Sequence, residues 1–278
     1  MPVAHLSYTE GPVDPLRSYD LYLPDEPRVH TALVVFVHGG AWRSGDKSDH
    51  VWLANALVQH TRLAVAVPNY RLSPNVRHPT HTTDIQKALL SLMELQSLPD
   101  SHPSHADYTF DFTEIWCIGH SAGAHILTTL CLSPINTASV DPPPRLPTPT
   151  LLLRAIKGVI CIEGIYDIDL LLRSFPSVYY HKFVQQAFGL KTSYTDADTT
   201  SYMGAEGGEE IRWLIIHSNG DQLVDRIQAE KMFKRLRELY QTGPSRVKYD
   251  FAFQDGHDEV LQSDILPRVV AGFISLQL

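Results

Sequence analysis

The sequence predicts an α/β fold: a mostly parallel central sheet flanked by helices, with a small helical cap inserted over the sheet edge. Three observations lead there. Short, apolar, β-branched runs recur along the 278 residues. Helix-period stretches stand between several of them. The strand-like EIWCI also runs directly into Gly119-His120-Ser121-Ala122-Gly123 and on into the helix-like AHILTTLCL, a strand–turn–helix junction.

Seven runs read as strands: Tyr19–Leu23, Leu33–Val37, Leu63–Val67, Glu114–Ile118, Ile156–Ile162, Ile211–Ile216 and Val247–Phe253. Several are apolar at consecutive positions, as expected for strands buried on both faces of a parallel sheet. Asp84–Leu95 carries apolar residues at 85, 88, 89, 92, 93 and 95, and Asp225–Tyr240 at 227, 232, 233, 236, 239 and 240. That spacing lines one face of a helix. Residues 163–210 are long for a crossover and mix short apolar pieces with polar turns, so a small cap is expected there. Residues 133–150 (SPINTASVDPPPRLPTPT) read as a Pro-rich loop insertion, and 100–109 as another loop. No internal repeat or linker divides the chain, so residues 1–278 are expected to form one domain.

Hydrophobic residues make up 44% and charged residues 19%, and the net charge is −8. This is globular composition, and its acidity argues against nucleic acid or an anionic membrane surface as partner. Three cysteines, an odd and small number, fit a reducing compartment better than a disulfide framework, and Cys117 and Cys161 lie in apolar runs that suit a core. The N-terminal stretch lacks a basic segment followed by an apolar one, and no apolar run approaches the ~20 residues of a membrane span. The expectation is therefore a cytoplasmic protein acting on a small molecule, as a monomer or homodimer.

The chemistry-bearing motif is G-x-S-x-G at 119–123. In its strand–turn–helix setting, Ser121 is raised on a tight turn at a helix N-terminus, the position of a nucleophile. A serine hydroxyl needs a base, and the base needs an orienting carboxylate. Of the histidines downstream, His125 sits one turn along the same helix, His181 lies in the presumed cap, and His217 ends a strand. His257 lies in FQDGHDEV, a loop beyond the last strand, which suits the base. For the acid the choice is Asp221, which follows an Asn-Gly turn just past the strand IRWLII, while Asp225, four residues on, reads as the N-cap of the next helix. Upstream, LVVFV runs into His38-Gly39-Gly40-Ala41-Trp42. Glycines there let the backbone approach a ligand, so N–H groups of this loop, with that of Ala122, are expected to form an oxyanion hole. His102 and His105 (HPSH) have no third ligand at suitable spacing, and no metal is expected.

HGGAW (38–42), PNYRL (68–72), GHSAGAH (119–125), the Asp221 turn and the His257 loop together resemble the α/β-hydrolase superfamily. HGG-x-W and CIEGIYDI (161–168) make the chain similar to its arylformamidase branch in the fungal form. The resemblance implies a Ser121–Asp221–His257 triad, an oxyanion hole made by the backbone N–H groups of Gly40, Ala41 and Ala122, and hydrolysis of N-formyl-L-kynurenine to L-kynurenine and formate without metal or cofactor. For such a substrate, Trp42, Tyr70 and Tyr166 are candidates to flank the ring and Glu163 to meet an ammonium group. The plainer reading places these four in the core or rim. A general carboxylesterase acting on small acyl or aryl esters would use the same residues. A non-catalytic binding protein of this fold would lack a triad member.

Overall fold

A computed structural model describes residues 2–11, 14–26, 29–98, 108–134, 147–240 and 246–275. His102, His105 and residues 135–146 of the Pro-rich stretch lie outside the described residues. In chain order the strands are β1 (Ala4–Ser7), β2 (Ser18–Tyr22), β3 (Val29–Val37), β4 (Ala64–Pro68), β5 (Thr109–His120), β6 (Leu132–Ser133), β7 (Ile156–Ile162), β8 (Met203–Gly204), β9 (Arg212–Ile216) and β10 (Val247–Asp250). Eight of them form one sheet in the order β1-β2-β4-β3-β5-β7-β9-β10. β1 pairs antiparallel with β2, and β2 with β4, while every other neighbour is parallel. β6 and β8 pair separately.

The consecutive apolar residues of the central strands are explained by the layers. Leu33, Val35 and Val37 of β3 face one core, and Val34 and Phe36 face the other. β5 and β9 divide in the same way. Strand side chains alternate between faces, so a strand covered on both sides needs apolar residues at every position. On one face lie α2 (Thr80–Glu94), α3 (Ala122–Cys131) and α7 (Arg226–Leu239), inserting residues such as Ile85, Ile126 and Met232. On the other face lie α1 (Val51–Thr61) and α8 (Leu266–Ser275), which pack through Leu53, Leu57, Val270 and Phe273.

The sequence reading named neither α1 nor α8. α1 is apolar at 51–54 and again at 56–58, which blurs a 3.6-residue period. α8 holds Pro267 and Gly272, both usual breakers, yet proline is tolerated in a first helical turn, where its missing N–H has no partner to lose. α2 begins a turn before the expected Asp84, because its first turn is polar and lacks the apolar signal. β10 ends at Asp250, not Phe253. Residues 163–210 hold α5 (Ile168–Ser174) and α6 (Val178–Phe188), with short 3₁₀ turns and β8 beyond them. The first is capped by the Asp167 carboxylate at 2.9 Å from Leu170 N, the second by Ser177 Oγ at 3.3 Å from Tyr180 N. Leu171, Phe183 and Val184 fix both helices on the main core. A short α4 (Thr150–Ala155) leads into β7.

Candidate active site

Four adjacent parallel strands end where the candidate residues begin. β3 delivers the glycine loop, β5 Ser121, β7 Glu163 and β9 the Asp221 turn. Carboxyl ends of strands are where open α/β sheets place their ligands. Ser121 sits between β5 and α3 with φ 52° and ψ −116°, a left-handed conformation costing of order 1 kcal/mol or more for a residue with a Cβ. The flanking glycines make the turn fit. A Cβ at Gly123 would lie 2.1 Å from the Val37 carbonyl oxygen, and one at Gly119 would lie 2.7 Å from the backbone of Gly123 and Ala124. Ala122 opens α3, so no preceding helical turn supplies an acceptor for its N–H.

The His38–Trp42 loop folds back toward this turn. Gly40, Ala41 and Trp42 follow one another in the left-handed region, at φ 92°, 49° and 58°. Gly39 needs to be glycine because of what it touches: a Cβ would lie 3.0 Å from Ser121 Cβ and 2.8 Å from His120 Nδ1. The loop is held from below by the Tyr70 hydroxyl, which donates within 3.1 Å to the carbonyls of His38 and Gly39. The Tyr70 ring also stacks on His38, with centroids 4.5 Å apart.

His257 Nδ1 donates to Asp221 Oδ2 at 2.7 Å. Asp221 Oδ1 accepts the N–H groups of Leu223 at 2.8 Å and Val224 at 3.0 Å. Burial alone would raise the Asp221 carboxyl, but hydrogen bonds from His257, Glu163 and the backbone, with the His257 charge, hold it at about 2. An ionised carboxylate only accepts, so the proton on His257 belongs to Nδ1 and leaves Nε2 as an acceptor. The alternative acid, Asp225, stands at the N-cap position of α7 without making a capping hydrogen bond. His120, which the sequence reading passed over, holds the backbone of His257: its Nε2 donates to the His257 carbonyl at 2.8 Å. Burial pushes its imidazole well below the ordinary range, so it stays neutral. His125 is buried and donates from Nε2 to the Ala197 carbonyl at 2.9 Å.

The four residues offered for substrate contact follow the plainer of the two readings and lie in the core. Trp42, Tyr70, Glu163 and Tyr166 are each 0% exposed. Trp42 sits edge-on to His125 and Phe188, with ring centroids 5.2 and 4.9 Å away. Tyr70 anchors the glycine loop. The Tyr166 ring is in the main core, and its N–H donates to Gln228 Oε1 at 2.9 Å. Glu163 meets no solvent to receive an ammonium group: it accepts the Ser218 N–H at 2.8 Å and lies against His217 and Asp221. The aromatic and acidic residue types suggested ligand contact, but tertiary packing used them for support.

A cavity of about 680 Å³ opens beside the loop, and its lining includes Gly39, Gly40, His120, Asp49, Asp258 and Asp264 but neither Ser121 nor His257. Neither lysine nor arginine lines it. The three cysteines are buried and form no disulfide among the described residues, and burial pushes the Cys161 thiol up to about 12. Among the described residues, no helix is long and apolar enough to cross a membrane.

Comparison with known proteins agrees with this architecture. Esterase B from Lactobacillus rhamnosis superposes with a TM-score of 0.69 at 18% identity, over 98% of this chain and 85% of that one. Carboxyl esterase 2 from Tuber melanosporum gives 0.64 at 17% identity, over 92% and 82%. In sequence, a kynurenine formamidase from Meyerozyma guilliermondii is 28% identical over 72% of this chain and 69% of its own length. One from Scheffersomyces stipitis is 24% identical over 83% and 85%. The BD-FAE family model matches residues 19–236, a span that includes the glycine loop, the serine turn and Asp221. By that match and by its sheet topology, the chain belongs to the BD-FAE family of α/β-hydrolases.

Proposed function

We propose that the protein is a serine hydrolase that cleaves N-formyl-L-kynurenine to L-kynurenine and formate. The observation that carries the chemistry is the His257 Nδ1–Asp221 pair at 2.7 Å, beside a serine on a left-handed strand-to-helix turn. The formamide is supported by the similarity to proteins named kynurenine formamidase.

Ser121 Oγ attacks the formyl carbon while His257 Nε2 takes its proton. The charge formed on the formyl oxygen is met by the N–H groups of Gly40, Ala41 and Ala122, fixed before the substrate arrives. The imidazolium, steadied by Asp221, returns the proton to the aryl amine, which leaves as kynurenine. Water, deprotonated by His257, then adds to the formyl-serine, and formate departs as the serine recovers its proton. No step requires an electron acceptor or any co-reactant besides water. The cavity lined by Asp49, Asp258 and Asp264 suits the ammonium end of the amino-acid chain, the task the sequence had suggested for Glu163.

Purified protein is incubated with N-formyl-L-kynurenine while kynurenine absorbance is followed, with Ser121→Ala as control and an aryl acetate in parallel. Formamide turnover that disappears in the alanine variant supports the reading. Ester turnover with no kynurenine formed would leave an esterase instead.

A further inference from the structure

Glu163 is buried against the Asp221–His257 pair, and no step above uses it. It follows β7 in a left-handed conformation, φ 50°, where glycine would sit without strain. A glutamate kept there at a cost of about 1 kcal/mol or more has something to hold. Its Oε1 accepts the Ser218 N–H at 2.8 Å, and Oε2 lies 3.1 Å from His217 Nδ1. One ligating atom each from Glu163, Asp221 and His257 falls within 4.8 Å of the others. Both carboxyl side chains are 0% exposed, and among the described residues neither pairs with a lysine or arginine. Two buried carboxylates so close, with His257 on Asp221 and a His217 that burial keeps neutral on Glu163, would repel each other. One proton shared between them replaces that repulsion with a hydrogen bond.

We propose that Glu163 is held as a neutral carboxylic acid that donates its proton to the Asp221 carboxylate, a positioning residue that keeps Asp221 ionised and aligned on His257. This rests on the Ser121–Asp221–His257 reading above. Burial, with the hydrogen bond and charge of Asp221, raises the Glu163 carboxyl to about 10. The groups facing it are His217 at the end of β9, Asp221 in the following turn, Tyr249 on β10, Asp255 and His257 beyond it, and Tyr166 on the segment after β7. Burial favours the neutral forms of His217, Tyr166 and Tyr249. The charges that bear on the proton are therefore those of Asp221, Asp255 and His257.

The test compares Glu163→Gln, Glu163→Ala, Asp221→Asn and the double variant Asp221→Asn/Glu163→Gln, with Ser121→Ala as control. Glutamine retains a donor toward Asp221 and an acceptor for Ser218 N–H. Glu163→Gln is therefore expected within about threefold of the original kcat/KM, and Glu163→Ala at least about 30-fold below it. In Asp221→Asn the opposing charge is gone, and Glu163 remains as the carboxyl beside His257 that can take the charge when the imidazolium forms. That variant is expected to keep about tenfold more activity than the double variant. Infrared spectra at neutral pH should show a protonated-carboxyl band that persists in Ser121→Ala and is missing from Glu163→Gln, a readout independent of turnover. Equal losses in Glu163→Gln and Glu163→Ala, equal activity of Asp221→Asn and the double variant, or an infrared band unchanged by Glu163→Gln would each overturn the proposal. Stoichiometric divalent metal bound by the purified protein and lost in Glu163→Gln would also overturn it, since both carboxyls would then be ionised ligands. Full activity in Ser121→Ala would instead overturn the serine-hydrolase reading, whatever the Glu163 variants do.

Discussion

Gly39→Ala adds one methyl group at the closest approach between the glycine loop and the nucleophile turn. The added Cβ would lie 2.8 Å from His120 Nδ1, 3.0 Å from Ser121 Cβ and 3.1 Å from the His120 carbonyl oxygen. Non-bonded carbon atoms rest about 3.5–4.0 Å apart, so the two segments must separate by roughly 0.5–1 Å. The nucleophile side is the stiffer one. Its carbonyl ends the central strand β5, the His120 ring is tied to the His257 carbonyl, and the Ser121 N–H donates to the Ile162 carbonyl at 2.9 Å. The 38–42 loop therefore gives way, and the N–H groups of Gly40 and Ala41 move out of reach of the developing oxyanion. Loss of one such donor costs about 10²–10³ in kcat, or about 3–4 kcal/mol of transition-state stabilisation. The strain lowers folding stability by a smaller amount, about 1–3 kcal/mol. The assay is kcat and KM for N-formyl-L-kynurenine and for an aryl acetate, alongside thermal unfolding. Both substrates should lose kcat to a similar extent, because both form the same oxyanion. A kcat within threefold of the original, or a loss confined to KM, would refute the placement of the oxyanion hole in this loop.

Tyr70→Phe keeps the ring on His38 but removes the hydroxyl that holds the His38 and Gly39 carbonyls. It should cost about 1 kcal/mol by chemical denaturation and lower kcat by about tenfold. The Glu163 carboxyl is raised from 4.5 to about 10 in the folded chain. Between those values the folded state keeps a proton that the unfolded state has released, so stability falls as pH rises, by at most about 1.4 kcal/mol per pH unit. Glu163→Gln should flatten the decline of Tm between pH 5 and 9, and an unchanged slope would contradict the assignment of that proton. The depressed Asp221 carboxyl acts in the opposite sense, adding stability above 3.8 that is lost as pH falls toward about 2. Asp258→Asn should raise KM for N-formyl-L-kynurenine by about three- to tenfold and leave KM for a neutral aryl ester unchanged, because only the former carries an ammonium group for the acidic cavity. Gly272→Ala, at an exposed position in α8 where a Cβ meets nothing within 4 Å, should stabilise the fold by about 0.5–1 kcal/mol in the same denaturation assay.

Much of this molecule is legible without coordinates, for identifiable reasons. β7 was read to the residue and α7 within one residue at each end, because a strand buried on both faces and a one-sided helix each leave a strong local period. The serine turn was legible because its geometry demands small residues at fixed offsets from the nucleophile: a Cβ at Gly123 would strike the Val37 carbonyl. The antiparallel pairing of β2 with β1 and β4 was not legible, since strand direction is a property of neighbours and not of the five residues of β2. The sequence favoured Asp221 over Asp225 by its place just past a strand end, but could not show the contact with His257. They are four positions apart, and only the closure of the 251–257 loop onto the Asn-Gly turn brings His257 Nδ1 to one of them.

The roles of Trp42, Tyr70, Glu163 and Tyr166 were decided by tertiary structure alone. An aromatic ring or a carboxylate near a catalytic motif has the same composition whether it faces a ligand or a neighbouring strand. Here each faces protein. Glu163 left one trace in the sequence, a lone charge directly after an apolar strand. Its meaning depends on a turn 58 residues away, because a carboxyl's protonation is set by what surrounds it. Local spacing determined which groups could react; the packing of separate strand ends decided which of them meet and in what charge state.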